Sequence, residues 1–465
     1  MGCVSSKHIS PDNNATVSRR PSSKTVLPQY PSSSSSSSFN PPAYSDMKLN
    51  INPDSTPVLT EPHGINNAKA ALRQETVKHF RQVSDRLEEF RQDPKNLMVQ
   101  NAAHSLDFVT LTTNRDVMIN DNHVFNTKIP TEAMVTNQKS SGRCWIFAAL
   151  NVFRIEVMKK HNLEEFELSQ GYLFFWDKFE KSNWFLECMI DMRDRDVNDR
   201  VVQHLLKEPI SDGGQWDMLV NLVERYGVIP KALYPESFSS SNSGKLNVLV
   251  LSKLREHAAI LRKLAAHGHS LEELREEKNK CLKEIYNILA ITLGEPPKKP
   301  FTWSFRNKDK KYFEFKDLTP QSYFKDHVGY PVTETVSIIN DPRNKTMQLY
   351  TVQYLGNIAG GRPIRYINAP IEDLKELAIK KLSSGKPVWF GADVGKYLHR
   401  DAGILDPKLF QYDLAFNISF KLNKAERLIH GDSLMTHAMV FTGVHLDEDG
   451  KPVRWRVENS WGDVG

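Results

Sequence analysis

The chain has 465 residues, of which 40% are hydrophobic, 25% charged and 10% aromatic. That balance excludes a wholly disordered protein, and no apolar run approaches the roughly 18 residues that a membrane-spanning helix needs. The net charge of +5, from 61 basic and 56 acidic residues, is too mild to argue by itself for a nucleic-acid partner.

The chain opens Met1-Gly2-Cys3-Val4-Ser5-Ser6-Lys7. This fits the N-myristoylation pattern, with Gly2 as acceptor once Met1 is removed. Cys3 stands beside it for a palmitoyl chain, and two acyl chains hold a protein to a membrane surface where one does so only marginally. No apolar signal core follows, so secretion is not expected. Arg19, Arg20 and Lys24 lie among serines without an apolar face, which makes a mitochondrial presequence the weaker alternative to a cytoplasmic, membrane-tethered protein. From Asp12 to about Gly64 the chain is rich in Ser, Pro and Asn, with an unbroken serine run from Ser32 to Ser38. Such a segment buries too little apolar surface to offset the entropy of ordering, so residues 1–64 read as a disordered tether.

Order is expected from about Ile65. Leu72, Phe80, Val83, Leu87 and Phe90 recur mostly at spacings of three and four. They predict an amphipathic helix that ends before Pro94 and shows Arg81, Arg86, Glu88 and Arg91 to solvent. The stretch 144–161 is apolar nearly all round, lacks Gly and Pro, and ends in Lys159, Lys160 and His161. It predicts a buried helix with a basic carboxyl end that suits the macrodipole. Residues 250–290 read as helical and highly charged. Around 294–317, Lys298, Lys299, Lys308, Lys310 and Lys311 interleave with Phe301, Trp303, Phe305, Tyr312 and Phe313. Two readings stand for this stretch: a solvated loop on a helical insertion, or a weak DNA- or RNA-binding surface where lysines neutralise phosphates and rings stack on bases. Strands are predicted at Val388-Trp389-Phe390, at His437 to Leu446 and at Val453 to Glu458, the last two joined by a turn over Asp447 to Gly450. Helices first and sheet last describe an α+β enzyme.

The four cysteines, Cys3, Cys144, Cys188 and Cys281, form no C-x-x-C pair and are too few for a disulfide framework. Free thiols in a reducing compartment are expected, with no metal site or cofactor. Cys188 and Cys281 read as ordinary packing or surface thiols, and His430 and His445 as structural. Gly431-Asp432-Ser433-Leu434 spells a serine-hydrolase pattern but falls in a loop before a strand, where that nucleophile is not expected.

One loop stands apart. Gln138-Lys139-Ser140-Ser141-Gly142-Arg143 delivers Cys144 to the first turn of the buried helix, where unpaired N–H groups and the helix dipole favour a thiolate. A nucleophilic sulfur needs a group that takes and returns a proton, and His437 at the start of a strand is the best candidate. A hairpin turn centred near Glu448 puts His437 opposite Asn459, whose amide oxygen would fix the imidazole tautomer. Trp461 would cover the pair. Gln138 and the N–H of Cys144 are placed to donate to an oxyanion.

These residues resemble the papain-like cysteine peptidases, and within them the bleomycin hydrolase family. The resemblance rests on Thr136 to Trp145, Glu167-Leu168-Ser169-Gln170 with Tyr172 to Phe175, Asp212-Gly213-Gly214-Gln215, Leu434 to Met439, and Val457 to Gly462, in family order. It implies a papain-like α+β fold over residues 65–465, with a helical N-terminal part, an antiparallel barrel-like C-terminal part and a large helical insertion at about 240–330. It implies Cys144 as nucleophile, His437 as general base and acid, Asn459 as orienter, Gln138 in the oxyanion hole, and Gly213, Gly214 and Trp461 at the substrate. The implied activity is that of a cysteine-type aminopeptidase acting on short peptides, on the bleomycin amide and on homocysteine thiolactone, in a homohexamer. His437 lies about twice as far from Cys144 as the ~130–150 residues usual in papain-like enzymes, which the insertions account for. The family continues past the Trp461-Gly462 motif with further strands and a carboxyl-terminal arm that restricts the cleft. The sequence ends before these, so a fragment, or a product lacking part of the barrel, is expected. The rival from another class is a membrane-tethered scaffold, or a nucleic-acid-binding relative, with impaired catalysis.

Overall fold

A helix without a polar face has to be covered on every side, and the architecture follows from that requirement. The computed structural model describes residues 75–462 except 77, 80, 81 and 84. Gly2, Cys3 and the 1–64 tether lie outside the described residues, as do Leu72, Phe80 and Arg81. The described residues of 75–83 are helical. From Asp85 on the chain is a separate unit, to which the following applies.

Residues 85–92 are helical and stop at Asp93, whose carboxylate accepts the Lys95 N–H at 2.9 Å and caps a new helix over Pro94–Ala103. The helix therefore ends before Pro94 as predicted, but its apolar residues Leu87 and Phe90 remain exposed. Helix α1, Cys144–His161, is buried from Cys144 to Ile155 without a gap. Helices α2 (Gln170–Asp191) and α3 (Trp216–Tyr226) pack against it. The charged stretch forms two helices, α4 (Gly244–Ala266) and α5 (Leu271–Leu293), that pack on each other and on α2. They are separated by a turn and a capping box in which the Ser270 and Glu273 side chains satisfy each other's backbone N–H groups.

The carboxyl-terminal half supplies the sheet. Strand β1 (Thr127–Lys128), two residues long and not foreseen from sequence, pairs with β10 (His437–Leu446). Strand β10 also pairs with β7 (Val388–Ala392) and β11 (Pro452–Glu458), all antiparallel. Between lie the hairpin of β2 (Phe301–Arg306) and β3 (Tyr312–Leu318), a small sheet of β4 (Ser337–Ile339), β6 (Tyr366–Asn368) and β5 (Gln348–Tyr350), and the pair β8 (Leu398–His399) and β9 (Ile404–Leu405). Helix α1 packs on β10. The guanidinium of Arg154 meets Glu458 at 2.7 Å, and the indole of Trp389 donates to the Trp145 carbonyl at 3.2 Å. These bonds fix the helix against the sheet. Among the described residues no helix is long and apolar enough to cross a membrane.

The basic-aromatic stretch is a β-hairpin, not a loop. Its turn carries Lys308, Lys310 and Lys311, but Trp303, Phe305 and Phe315 face inward around His161, with ring centroids 5.0, 5.4 and 5.7 Å away. Rings committed to this cluster are not available as a platform for bases; Tyr312 and Phe313 are the exposed ones.

Within the cluster His161 Nε2 lies 3.1 Å from His327 Nδ1, so one imidazole donates and the other accepts. Burial, then the neighbouring His327 and Lys160, pushes His161 down to about 4. Protonation is therefore easier in the unfolded chain, and the stability this pair contributes is present above about pH 6.5 and lost as the pH falls toward 4. The melting temperature is expected to drop across that window. The His161→Gln variant, which keeps a hydrogen-bonding partner for His327, should show a shallower drop in a thermal-melt series; an identical pH profile would contradict the assignment.

Candidate active site

The loop that leads into α1 is tied down on both sides. The Gln138 N–H donates to the Ser460 carbonyl at 2.8 Å, and Asn137 and Ser140 form bridges with Trp461 and Asn242. Lys139 takes a left-handed backbone at φ 53°. Arg143, fully buried, pairs with Glu236 at 2.8 Å and lies over the rings of Phe147 and Phe174. Cys144 is thereby held as the first residue of α1, and its own N–H is one of the first-turn donors that no helical carbonyl can reach.

His437 begins β10, but its ladder partner is Ala392 on β7. The expected cross-strand pairing with Asn459 is not present. The hairpin is centred on Asp449 and not on Glu448: Leu446 pairs with Pro452 and Val440 with Glu458, the two bulges between these pairs cancelling, and the β10–β11 ladder ends at Val440 opposite Glu458. Beyond the ladder the chain leaves strand geometry, and this lets the side chains meet: His437 Nε2 and Asn459 Oδ1 are 2.7 Å apart. The Ser460 N–H donates to the same Oδ1 at 2.8 Å. That second donor fixes which end of the amide faces the ring, so Nε2 carries the hydrogen and Nδ1 keeps its lone pair. The Trp461 ring lies 4.8 Å from the imidazole at 30°, and the Arg400 guanidinium lies over that same Trp461 ring, 5.1 Å from its centroid. The Ala438 N–H points at Cys144 Sγ from 3.4 Å. Cys144 and His437 line the same cleft of about 470 Å³.

The helix tip alone does not make a thiolate here. Burial pushes the Cys144 thiol up, outweighing the pull of the N–H groups of Ala438, Trp145 and Cys144 itself, and the Asp212 carboxylate adds to the rise. Burial likewise lowers His437, against a smaller opposing effect of the Asn459 bond. Each group on its own is thus held neutral. Gln138 is buried, with Oε1 accepting the Ser460 hydroxyl at 2.6 Å and one Nε2 hydrogen given to the Ser141 carbonyl at 2.5 Å. Its second amide hydrogen has no partner among the described residues.

Asp212 holds the opposite wall. Lys178, fully buried, contacts it at 2.6 Å, and it also accepts from the Gly142 N–H, the Ser243 hydroxyl and the Asn247 amide. Burial would raise its carboxyl, but Lys178 and these donors hold it well below the usual range. Its carbonyl accepts the Trp145 indole N–H at 2.6 Å. The two glycines that follow differ in their reason. A Cβ on Gly214 would lie 2.5 Å from the Trp145 ring, whereas one on Gly213 would meet nothing closer than Ser211 Oγ at 3.8 Å and would project into the cleft that Gly213 lines.

The profile described as Peptidase C1-like family matches residues 76–465. The chain belongs to the Peptidase C1-like family. It is 46% identical to the bleomycin hydrolase of Gallus gallus over 80% of this chain and 84% of that protein. It is likewise 46% identical to aminopeptidase C of Streptococcus thermophilus over 78% of this chain and 82% of that one. The crystal structure of PepW from Lactobacillus rhamnosis HN001 superposes with a TM-score of 0.80 at 45% identity, covering 82% of this chain and 85% of that one. The papain-like α+β expectation is borne out, and this C1-like chain is a cysteine-type aminopeptidase.

Cys144, His437, Gly213 and Gly214 line one cleft, Gln138 lines the adjoining one with Cys144 and His437, and Asn459 and Trp461 stand against the His437 ring. The structure leaves His445 on β10 away from these residues, and Ser433 of the serine-hydrolase pattern in a loop held by the Arg427 carbonyl. Cys188 and Cys281 are buried, and burial pushes their thiols up to about 12 and about 11. The sequence assigns no role to Asp212 or Ser460, although both stand inside the motifs that carry the resemblance, and Lys178 carries no signal in it. Removing the Asp212 charge leaves Lys178 buried without a counter-ion, which typically costs about 3–5 kcal/mol. The Asp212→Asn variant is expected to lose stability on that scale in urea titrations; an unchanged midpoint would show that the pair does not hold the cleft.

Proposed function

We propose that the protein removes residues from the amino end of short peptides through an acyl-enzyme formed on Cys144. The observation that carries the reading is the fixed tautomer of His437. With Nε2–H bound to Asn459, Nδ1 is the basic nitrogen, in the cleft that Cys144 shares. As Sγ attacks the substrate carbonyl, its proton passes to Nδ1, so both charges appear together and stabilise each other where neither is favoured alone. The carbonyl oxygen becomes an oxyanion that accepts from the Cys144 N–H and the second Gln138 amide hydrogen. The imidazolium then protonates the leaving amine, the C–N bond breaks, and a thioester remains on Cys144. A water molecule gives its proton to Nδ1 and attacks the thioester. Collapse returns the proton to sulfur and releases the amino acid.

Relatives named bleomycin hydrolase support the amide of that drug as a further substrate. Homocysteine thiolactone fits the same acyl transfer, since its thioester is attacked at a carbonyl in the same way.

Two outcomes test the reading. Cys144→Ala is expected to abolish turnover of an aminoacyl-coumarin substrate, and Gln138→Ala to lower kcat by about 10²–10³. Turnover in Cys144→Ala equal to wild type would overturn the assignment. Separately, in Cys144→Ala the ring protons of His437 should titrate below the ordinary 6.5 in proton NMR, because burial disfavours the imidazolium. Adding Asn459→Ala removes the bond that opposes this effect, so the midpoint should fall further; a rise would contradict the geometry.

A further inference from the structure

Two lysines of α2 reach the segment that carries Gly213. Lys181 stands three residues after Lys178 and four after Asp177, so these side chains share one side of the helix. Lys178 takes the Asp212 carboxylate. We infer that Lys181 is a positioning residue for the reaction, which sets the course of the 211–213 main chain against which the substrate lies. The inference rests on the peptidase reading, with Gly213 facing the substrate, and deepens it.

Residues 211–213 belong to no helix or strand, and none of their N–H groups bonds to another backbone group among the described residues. Their main chain is held through its carbonyls. The Lys181 ammonium donates to the Ser211 carbonyl at 3.1 Å and to the Gly213 carbonyl at 2.5 Å. The Asp212 carbonyl between them accepts the Trp145 indole N–H at 2.6 Å. Two carbonyls that converge on one point bring their negative ends together, an arrangement that a cation stabilises and a neutral side chain does not. Without the ammonium these carbonyls would turn toward water, and the peptide plane after Gly213 would turn with them.

Lys181 is itself fixed from two further directions. It is buried, its ammonium forms an ion pair with Asp177 at 2.7 Å, and it lies over the Trp145 ring, 5.1 Å from the centroid. It lines the 470 Å³ cleft, yet its bonds go to protein groups, so it acts on a substrate through the segment it holds. Trp145 follows the nucleophile in the chain. One ammonium is therefore tied both to the residue beside Cys144 and to the segment that ends in Gly213, and it sets the one against the other. The nucleophile does not depend on it in the same way, because the helix tip is held separately by Arg143 and Glu236.

The test uses the full chain and two readouts. Turnover of an aminoacyl-coumarin substrate needs the 211–213 segment; alkylation of Cys144 by iodoacetamide does not, because that reagent is too small to lie along it. Lys181→Met keeps an unbranched stem and removes the ammonium. It should raise KM by about tenfold to a hundredfold with kcat nearly unchanged, the mark of lost substrate seating, and leave Cys144 alkylated at the wild-type rate. Lys181→Arg, whose guanidinium can donate to both carbonyls, should recover much of the loss. Lys181→Met also strips buried Asp177 of its ion-pair partner. The double variant Asp177→Asn with Lys181→Met removes both charges, is spared that penalty, and should show the same rise in KM. A wild-type KM in either variant, or alkylation that slows in step with turnover, would overturn the inference and leave the peptidase reading intact. No turnover by the wild type, with Cys144 still alkylated, would instead overturn the reading beneath it.

Discussion

Helix α1 has no face to give to water, and the rest of the molecule is arranged around that constraint. Its side chains from Cys144 to Ile155 are all buried, which requires α2 and α3 on one part of its surface and β7 and β10 on another. Burying apolar surface at about 25 cal/mol per Å² makes such a closure strongly favourable for a helix of 18 residues. One consequence is chemical. The residues that cover the first turn come from segments near 137, 212, 389, 437 and 460, so the closure of the core gathers the cleft.

A second layer of order is polar, and its cations are fully buried. Lys178 reaches from α2 to Asp212, Arg143 from the helix tip to Glu236, and Arg154 from α1 to Glu458. Each pair joins segments distant in the chain. Buried ion pairs contribute little net stability compared with apolar packing, yet breaking one leaves an uncompensated charge. They therefore act as registration devices: the Asp212 loop, and with it Gly213 and Gly214, is held where Asp212 meets the buried Lys178 ammonium.

The electrostatics of the cleft favour neutral groups at rest. Burial raises the Cys144 thiol and lowers the His437 imidazole, so the sulfur depends on its partner for activation and not on the helix dipole alone. Ser460 links the two halves of the chemistry. Its N–H orients Asn459, its hydroxyl orients Gln138 and its carbonyl holds the Gln138 backbone. A shift of this one residue would move the proton-transfer partner and the oxyanion donor together.

Much of this was legible before any coordinates. The apolar run 144–161 specifies a buried helix because no other element hides apolar groups at every position. The loop before it places Cys144 at the tip, and an apolar run and a second β-rich run joined by turn residues mark β10 and β11. What the sequence could not specify was how these parts meet. A hairpin centred on Glu448 would have paired His437 with Asn459 across the ladder, but the turn is centred on Asp449, one residue further on, and the contact forms past the ladder's end. The two-residue strand β1 has no periodicity to read, and the aromatic rings near 301–315 became core because α1 ends beneath them. The partners of Asp212 lie tens of residues away along the chain. Local spacing fixes which groups a segment presents. Burial, register and the balance of desolvation against pairing depend on contacts that exist only once the chain has closed on itself, and those decided the charge state and geometry of the cleft.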